Sequence, residues 1–192
     1  WIVSLGGSGK QAYLIASLLR AHCRWLQVVV LTHANSAATL IALAGDVIYM
    51  GPASCLSPLD AQWQRAEQSD LICALDTVKS LDVLGGQARK YLLCTKKALE
   101  KSVDLTAGEL LSFAADLFEH VVDKSDPLWM ASVERELKLP VRYIVELLET
   151  RACQVPPGFN AAEVAKKFVY GFDCHDQAIR HHHAAARARV PD

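Results

Sequence analysis

The fold is decided by residues 26–62, LQVVVLTHANSAATLIALAGDVIYMGPASCLSPLDAQ. This stretch opens with an apolar run that is rich in β-branched residues and too short for a membrane helix of roughly 20 residues. The run breaks at residues 33–35, a helix of small residues begins at Ser36, and a strand returns at residues 46–50. The pattern predicts a strand, a tight polar elbow carrying Ser36, and a helix whose N-terminal N–H groups favour negative charge beside that serine.

The residues before this stretch extend the same alternation. Residues 1–5 predict a buried strand, residues 6–9 a glycine-rich turn, and residues 10–23 an amphipathic helix with apolar residues at i, i+3, i+4 and i+7. Strand, helix, strand, helix and strand with short connections predict a parallel sheet with right-handed crossovers. The turn lacks the residues of a phosphate loop or of a dinucleotide fingerprint.

Beyond residue 62 the pattern becomes helical. The predicted helices lie at residues 69–84, 87–101, 106–122, 129–137, 141–151, 161–170 and 176–189. Gly85-Gly86 and Pro140 separate neighbouring helices, and Thr106 with Glu109 forms a capping box. We therefore expect one α/β domain over residues 1–192, with an α/β front half at 1–62 and an α-rich extension at 63–192.

Composition and charge exclude some classes of function. Hydrophobic residues make up 52% and charged residues 21%, which is typical of a globular chain. Lys and Arg number 20 against 21 Asp and Glu, so there is no electrostatic reason to expect a nucleic-acid partner. The six cysteines are scattered without CxxC or zinc-like spacing, which predicts no metal site and no cofactor.

Free thiols within apolar patterns favour a reducing compartment, and we expect the chain to be cytoplasmic. It shows no signal peptide and opens on Trp-Ile-Val-Ser-Leu, already within a strand. We therefore expect an excerpt of a longer protein, in which a membrane anchor upstream of residue 1 is one alternative.

Ser36 is the candidate nucleophile, and its structural alternative is an ordinary helix N-cap. Lys79, on an apolar-rich helix, is a candidate base, and its alternative is a surface lysine with a buried stem. His175 is a second candidate base, which Asp60 could orient; the alternatives are a loop histidine and a turn cap. The backbone N–H groups of the glycine turn could stabilise an oxyanion.

Three segments together resemble one superfamily. They are the strand–GG–helix opening at residues 1–20, the helix NSAATLIAL at 35–43, and GDVIYMGP with LSPLDAQ at 45–52 and 56–62. In this order they resemble the Clp-protease/crotonase superfamily, most closely the serine dehydrogenase proteinases and their signal-peptide-peptidase-A-like relatives. A weaker similarity to the family's C-terminal segment covers residues 175–190.

The resemblance implies a ββα superhelix with a mostly parallel sheet and an α-rich C-terminal half. It implies a serine endopeptidase that acts on peptides or unfolded proteins through an acyl-enzyme at Ser36. Gly6, Gly7 and Ala37 would supply the N–H groups of the oxyanion hole. Relatives form rings or smaller oligomers, so the resemblance also implies a homo-oligomer.

The resemblance leaves the base open. The peptidase-A-like relatives use Ser–Lys dyads, with a lysine about forty residues after the serine in a Lys-Ser-Leu sequence, and Lys79 lies in such a sequence here. The serine dehydrogenase proteinases use Ser, Asp and His in that order, which corresponds to Ser36, Asp60 and His175. We favour Lys79, because its helix is more strongly predicted than the loop around His175.

Three residues depart from the family pattern. Leu5 replaces a proline, and Ala38 and Ser57 each replace a glycine. These departures favour a second hypothesis, a catalytically inactive protein that serves in assembly or peptide binding. A third hypothesis, a crotonase-type acyl-CoA enzyme, ranks last, because no acidic pair is placed for proton transfer near the second helix.

Overall fold

The computed structural model describes residues 1–64, 71–99, 106–122, 126–151, 158–172 and 177–180. The chain divides into two compact units. The first combines residues 1–62 with 136–192, and the second comprises residues 63–135. Residues of the C-terminal half therefore complete the unit that the front half begins.

The elements follow one another as strands and helices in the first third and mainly as helices thereafter. In chain order they are β1 (Ile2–Ser4), α1 (Gly9–His22), β2 (Gln27–Ala34), α2 (Ala37–Leu43), β3 (Val47–Met50), β4 (Cys55–Leu56), β5 (Gln62–Gln64), β6 (Leu71–Cys73), α3 (Ala74–Leu99), α4 (Ala107–Val122), α5 (Pro127–Glu149), α6 (Ala161–Tyr170) and β7 (Ile179–Arg180).

The main sheet of the first unit is centred on β2. This strand pairs in parallel with β1, with β3 through its first half and with β4 through its last two residues, while β7 lies antiparallel to β4. The chain is thus α/β, as predicted, and the sheet is mixed, with parallel pairing dominant. A separate two-stranded sheet contains β5 and β6.

The core of the first unit lies between the sheet and the helices that pack on it. Alternate residues of β2, Val28 and Val30, are buried, and nearly all of α2 is buried. The small buried residues Ala12 and Ala16 allow α1 to pack closely against α2. Leucine and isoleucine side chains of α5 and the apolar face of α6 add to the buried set.

An ion pair ties the start of β3 to α1 and to the start of β2. Arg20 Nη1 donates to Asp46 Oδ2 at 2.6 Å, and the Leu26 N–H donates to the same oxygen at 2.7 Å. The two charged side chains are 8% and 0% exposed, so the pair is shielded from water. Arg20 Nη2 also donates to the Thr150 carbonyl at 2.8 Å, which joins α1 to the end of α5.

Two predicted helix breaks are wrong. A single helix, α3, runs through Gly85-Gly86, because each glycine costs only about 1 kcal/mol within a helix that its neighbours favour. α5 likewise runs through Pro140, with Leu137 and Ile144 buried on either side of it. Packing of those side chains stabilises the helix against the local cost of the proline.

Other predictions in the C-terminal half are partly confirmed. α6 matches the predicted helix, and the capping box is present: the Thr106 N–H donates to Glu109 Oε2 at 2.9 Å, and the Glu109 N–H donates to Thr106 Oγ1 at 3.3 Å. Strand β6 replaces the first part of the helix predicted at 69–84, and β7 lies within the helix predicted at 176–189. No helix in the described part of the chain has both the length and the apolar character needed to cross a bilayer.

Candidate active site

The elbow between β2 and α2 is tighter than the sequence predicts. β2 continues through His33 to Ala34, and α2 begins at Ala37, so only Asn35 and Ser36 connect them. The predicted break at residue 33 is therefore wrong, because the His33 backbone pairs with Cys55 of β4. Pairing with a neighbouring strand extends β2 where the apolar pattern has already ended.

Ser36 has an unusual backbone conformation. Its φ is 48° and its ψ is −116°, and among the described residues it is the one non-glycine residue with positive φ. This combination lies outside the left-handed helical region, and such a residue costs about 1–3 kcal/mol. A strained serine between a strand and a helix is similar to the nucleophile elbow of α/β-hydrolases, in which the sharp turn exposes the serine hydroxyl.

The Ser36 side chain does not act as a helix cap. Ser36 occupies the N-cap position of α2, but its hydroxyl accepts no hydrogen bond from the first turn of the helix. By contrast, Ser8 caps α1 in the ordinary way, with Oγ accepting from the Gln11 N–H at 3.4 Å. Ser36 is also partly exposed. A helix-capping role therefore does not explain why a hydroxyl group is present at residue 36.

Gly6 makes room for the elbow. Its φ is +115°, and a Cβ atom built on it would lie 3.1 Å from the Ser36 Cβ and 3.1 Å from the Asn35 carbonyl oxygen. The Asn35 N–H donates to the Ser4 carbonyl at 3.0 Å, which joins the end of β1 to the elbow. Both the conformation and the space at residue 6 therefore favour glycine.

The three predicted oxyanion donors differ in their hydrogen bonds. The Gly6 N–H donates to Ser4 Oγ at 3.2 Å and is therefore engaged. Among the hydrogen bonds of the described residues, none is donated by the Gly7 N–H or the Ala37 N–H. Gly7 is exposed, and Ala37, directly after Ser36, is buried at the N-terminus of α2. Of the three predicted donors, only the Gly6 N–H therefore has a partner among the described residues.

A network of hydroxyl groups that was not predicted from the sequence contacts the elbow. Ser57 Oγ accepts from the Ser36 N–H at 2.7 Å. The fully buried Thr39 Oγ1 lies 2.6 Å from the Ala34 carbonyl and 2.9 Å from the Ser57 carbonyl, and it accepts from the Ser57 N–H at 3.1 Å. A threonine within an otherwise apolar helix is the one signal in the sequence that could have indicated such a role.

The predicted base residues lie in three different parts of the chain. Asp60 belongs to the first unit, on the segment after β4, and its carboxylate oxygens are shielded from solvent. Lys79 is partly exposed on α3 and belongs to the second unit. His175 lies outside the described residues. Further along the chain, β7 pairs with β4, the strand that leads to Ser57.

Two of the residues that differ from the resembled pattern have opposite environments. Leu5 is 80% exposed, and Ala38 is 3% exposed, so the Ala38 methyl group is packed in the core.

No set of three or more His, Cys, Asp and Glu side chains that could hold a metal ion occurs within the described ranges.

Comparisons with protein families, with curated protein sequences and with solved structures return no match to this chain.

Proposed function

We propose that this chain is a serine peptidase with a Clp-protease/crotonase-like fold and Ser36 as its nucleophile. The observation that carries the proposal is the backbone of Ser36, which is strained, partly exposed and not used for capping. Backbone strain persists only where the surroundings impose it, and it clusters at functional sites. Gly6 leaves space for this backbone, and Ser57 Oγ accepts a hydrogen bond from the Ser36 N–H.

In the proposed reaction, Ser36 Oγ attacks the carbonyl carbon of a peptide bond while a base takes the hydroxyl proton. The oxygen of the tetrahedral intermediate receives hydrogen bonds from the Gly7 and Ala37 N–H groups. The base then protonates the leaving amine, and water hydrolyses the acyl-enzyme by the same steps in reverse. One such N–H donor contributes on the order of 3 kcal/mol to the transition state.

The proposed base is Lys79, and the alternative is His175 oriented by Asp60. The alternative is supported by β7, which begins four residues after His175 in the sequence and pairs with β4, the strand that leads to Ser57. Lys79 is supported by its position in the Lys-Ser-Leu sequence of the resembled dyad enzymes. The proposed substrates are peptides or unfolded proteins, and the proposed assembly is a homo-oligomer.

Reaction with a fluorophosphonate probe tests the proposal, because such probes phosphonylate activated serines. The wild-type chain should be labelled and Ser36→Ala should not be. Ser8→Ala, which removes the hydroxyl that caps α1, is the matched control and should label like the wild type. Equal labelling of Ser36→Ala and wild type would remove Ser36 from the mechanism.

A second set of variants separates the two bases. If Lys79 is the base, Lys79→Ala should lose labelling while Lys90→Ala, an exposed lysine on the same helix, retains it. If His175 is the base, His175→Ala should lose labelling while His22→Ala retains it. Circular dichroism should confirm that each variant is folded. Labelling that survives in both Lys79→Ala and His175→Ala would contradict both assignments.

A further inference from the structure

We infer that the Ser57 hydroxyl holds the Ser36 backbone in its strained conformation and thereby sets the direction of the Ser36 side chain. Ser57 is in this sense a positioning residue, because it acts through the Ser36 backbone. The effect on catalysis rests on the proposed function, whereas the effect on the backbone does not. Nothing in the sequence pattern indicates this role, since the resembled family has a glycine at this position.

The contact between the two serines is short and partly buried. The Ser36 N–H donates to Ser57 Oγ at 2.7 Å, and Ser57 is only 4% exposed. The direction of the Ser36 N–H fixes the plane of the peptide bond that joins Asn35 to Ser36. Because φ of Ser36 is a rotation about its N–Cα bond, this plane and the packing of α2 together determine φ.

Thr39 places Ser57 in turn. Its Oγ1 accepts from the Ser57 N–H at 3.1 Å and lies 2.9 Å from the Ser57 carbonyl oxygen, so it contacts both polar groups of the Ser57 backbone. The same Oγ1 lies 2.6 Å from the Ala34 carbonyl at the end of β2. These contacts of Thr39 Oγ1 therefore link the last residue of β2, the first turn of α2 and the segment after β4. Buried networks of this kind favour one geometry over its alternatives.

Removing the Ser57 hydroxyl should release the elbow. The partly buried Ser36 N–H would then lose its acceptor, which is unfavourable for a backbone donor. The backbone can respond by relaxing toward the negative φ of an ordinary helix start, which would change the direction of the Ser36 side chain. Acylation of Ser36 should therefore slow by about tenfold, the rate equivalent of one hydrogen bond.

The test compares Ser57→Ala with Ser54→Ala. Ser54 is also buried in the connection after β3, but its hydroxyl donates only to the Gly51 carbonyl at 2.9 Å, away from the elbow. Two quantities are measured: hydrogen exchange of the Ser36 amide by NMR, and the second-order rate of fluorophosphonate labelling. Ser57→Ala should raise amide exchange at Ser36 by at least tenfold and slow labelling by about tenfold. Ser54→Ala should change neither quantity, even if its melting temperature falls.

Unchanged exchange at Ser36 in a folded Ser57→Ala protein would overturn the inference. So would faster exchange with an unchanged labelling rate, because the hydroxyl would then hold the backbone without directing the side chain. A wild-type chain that does not label would refute the proposed function instead, and amide exchange would still decide whether Ser57 holds the elbow. If Ser57→Ala fails to fold, Ser57→Cys keeps a side chain of the same shape but weakens the acceptor, and the same two quantities should shift in the same directions.

Discussion

Gly6→Ala should disturb the candidate active site more than it disturbs the fold. The added Cβ would lie 3.1 Å from the Ser36 Cβ and 3.1 Å from the Asn35 carbonyl oxygen, closer than ordinary van der Waals contact, at a φ of +115° that L side chains rarely adopt. Conformational strain of this kind costs about 1–3 kcal/mol. Part of it can be relieved by moving the elbow, which would displace Ser36 Oγ.

Urea denaturation and fluorophosphonate labelling measure the two effects of Gly6→Ala. The unfolding free energy should fall by about 1–3 kcal/mol. Labelling at neutral pH should slow by more than tenfold, because small misplacements of reacting groups strongly reduce the reaction rate. Gly9→Ala is the matched control: its Cβ meets nothing within 4 Å, it lies at the start of α1, and it should leave labelling unchanged. A Gly6→Ala protein with wild-type stability and labelling would refute the account of the elbow.

Three further predictions concern contacts outside the elbow. Asp46→Asn should lower the unfolding free energy by about 3–5 kcal/mol in urea denaturation, because it leaves the Arg20 charge buried without its partner; a loss below about 1 kcal/mol would contradict this. Hydrogen bonds from the backbone and hydroxyl of the capping threonine lower the pKa of Glu109, so its contribution is present above the ordinary value of 4.5 and is lost as pH falls through the lowered pKa. The stability difference between wild type and Glu109→Gln should therefore vanish at low pH, and a constant difference would exclude this linkage. The hydrogen bond to Glu146 raises the pKa of Tyr13, and Glu146→Gln should lower it in an absorbance titration of tyrosinate; an unchanged titration would contradict the contact.

The strand–elbow–helix order follows from the sequence, whereas the conformation of the elbow does not. The β-branched run and the helix of small residues predict β2 and α2 within a few residues of their actual ends. The positive φ of Ser36 depends on Gly6 and on Ser57, which is 21 residues further along the chain. Local propensity carries no information about contacts between residues so far apart in the sequence. The strained backbone of Ser36 could therefore be recognised only from the structure.

In the long helices, local sequence signals predict helix ends that the structure does not have. Gly85-Gly86 and Pro140 are sound local indications of a helix end, yet α3 and α5 continue through them. In α5 the buried side chains on both sides of the proline stabilise the helix more than the proline destabilises it. The capping box at Thr106 and Glu109 was predictable, because both partners lie within one helical turn.

The most direct test of the nucleophile is to identify the residue that carries the fluorophosphonate adduct by mass spectrometry of the labelled, digested chain. We expect a single adduct on Ser36, its disappearance in Ser36→Ala, and a parallel loss of peptide hydrolysis. An adduct on another serine, or peptide hydrolysis that persists undiminished in Ser36→Ala, would contradict the claim that Ser36 is the nucleophile.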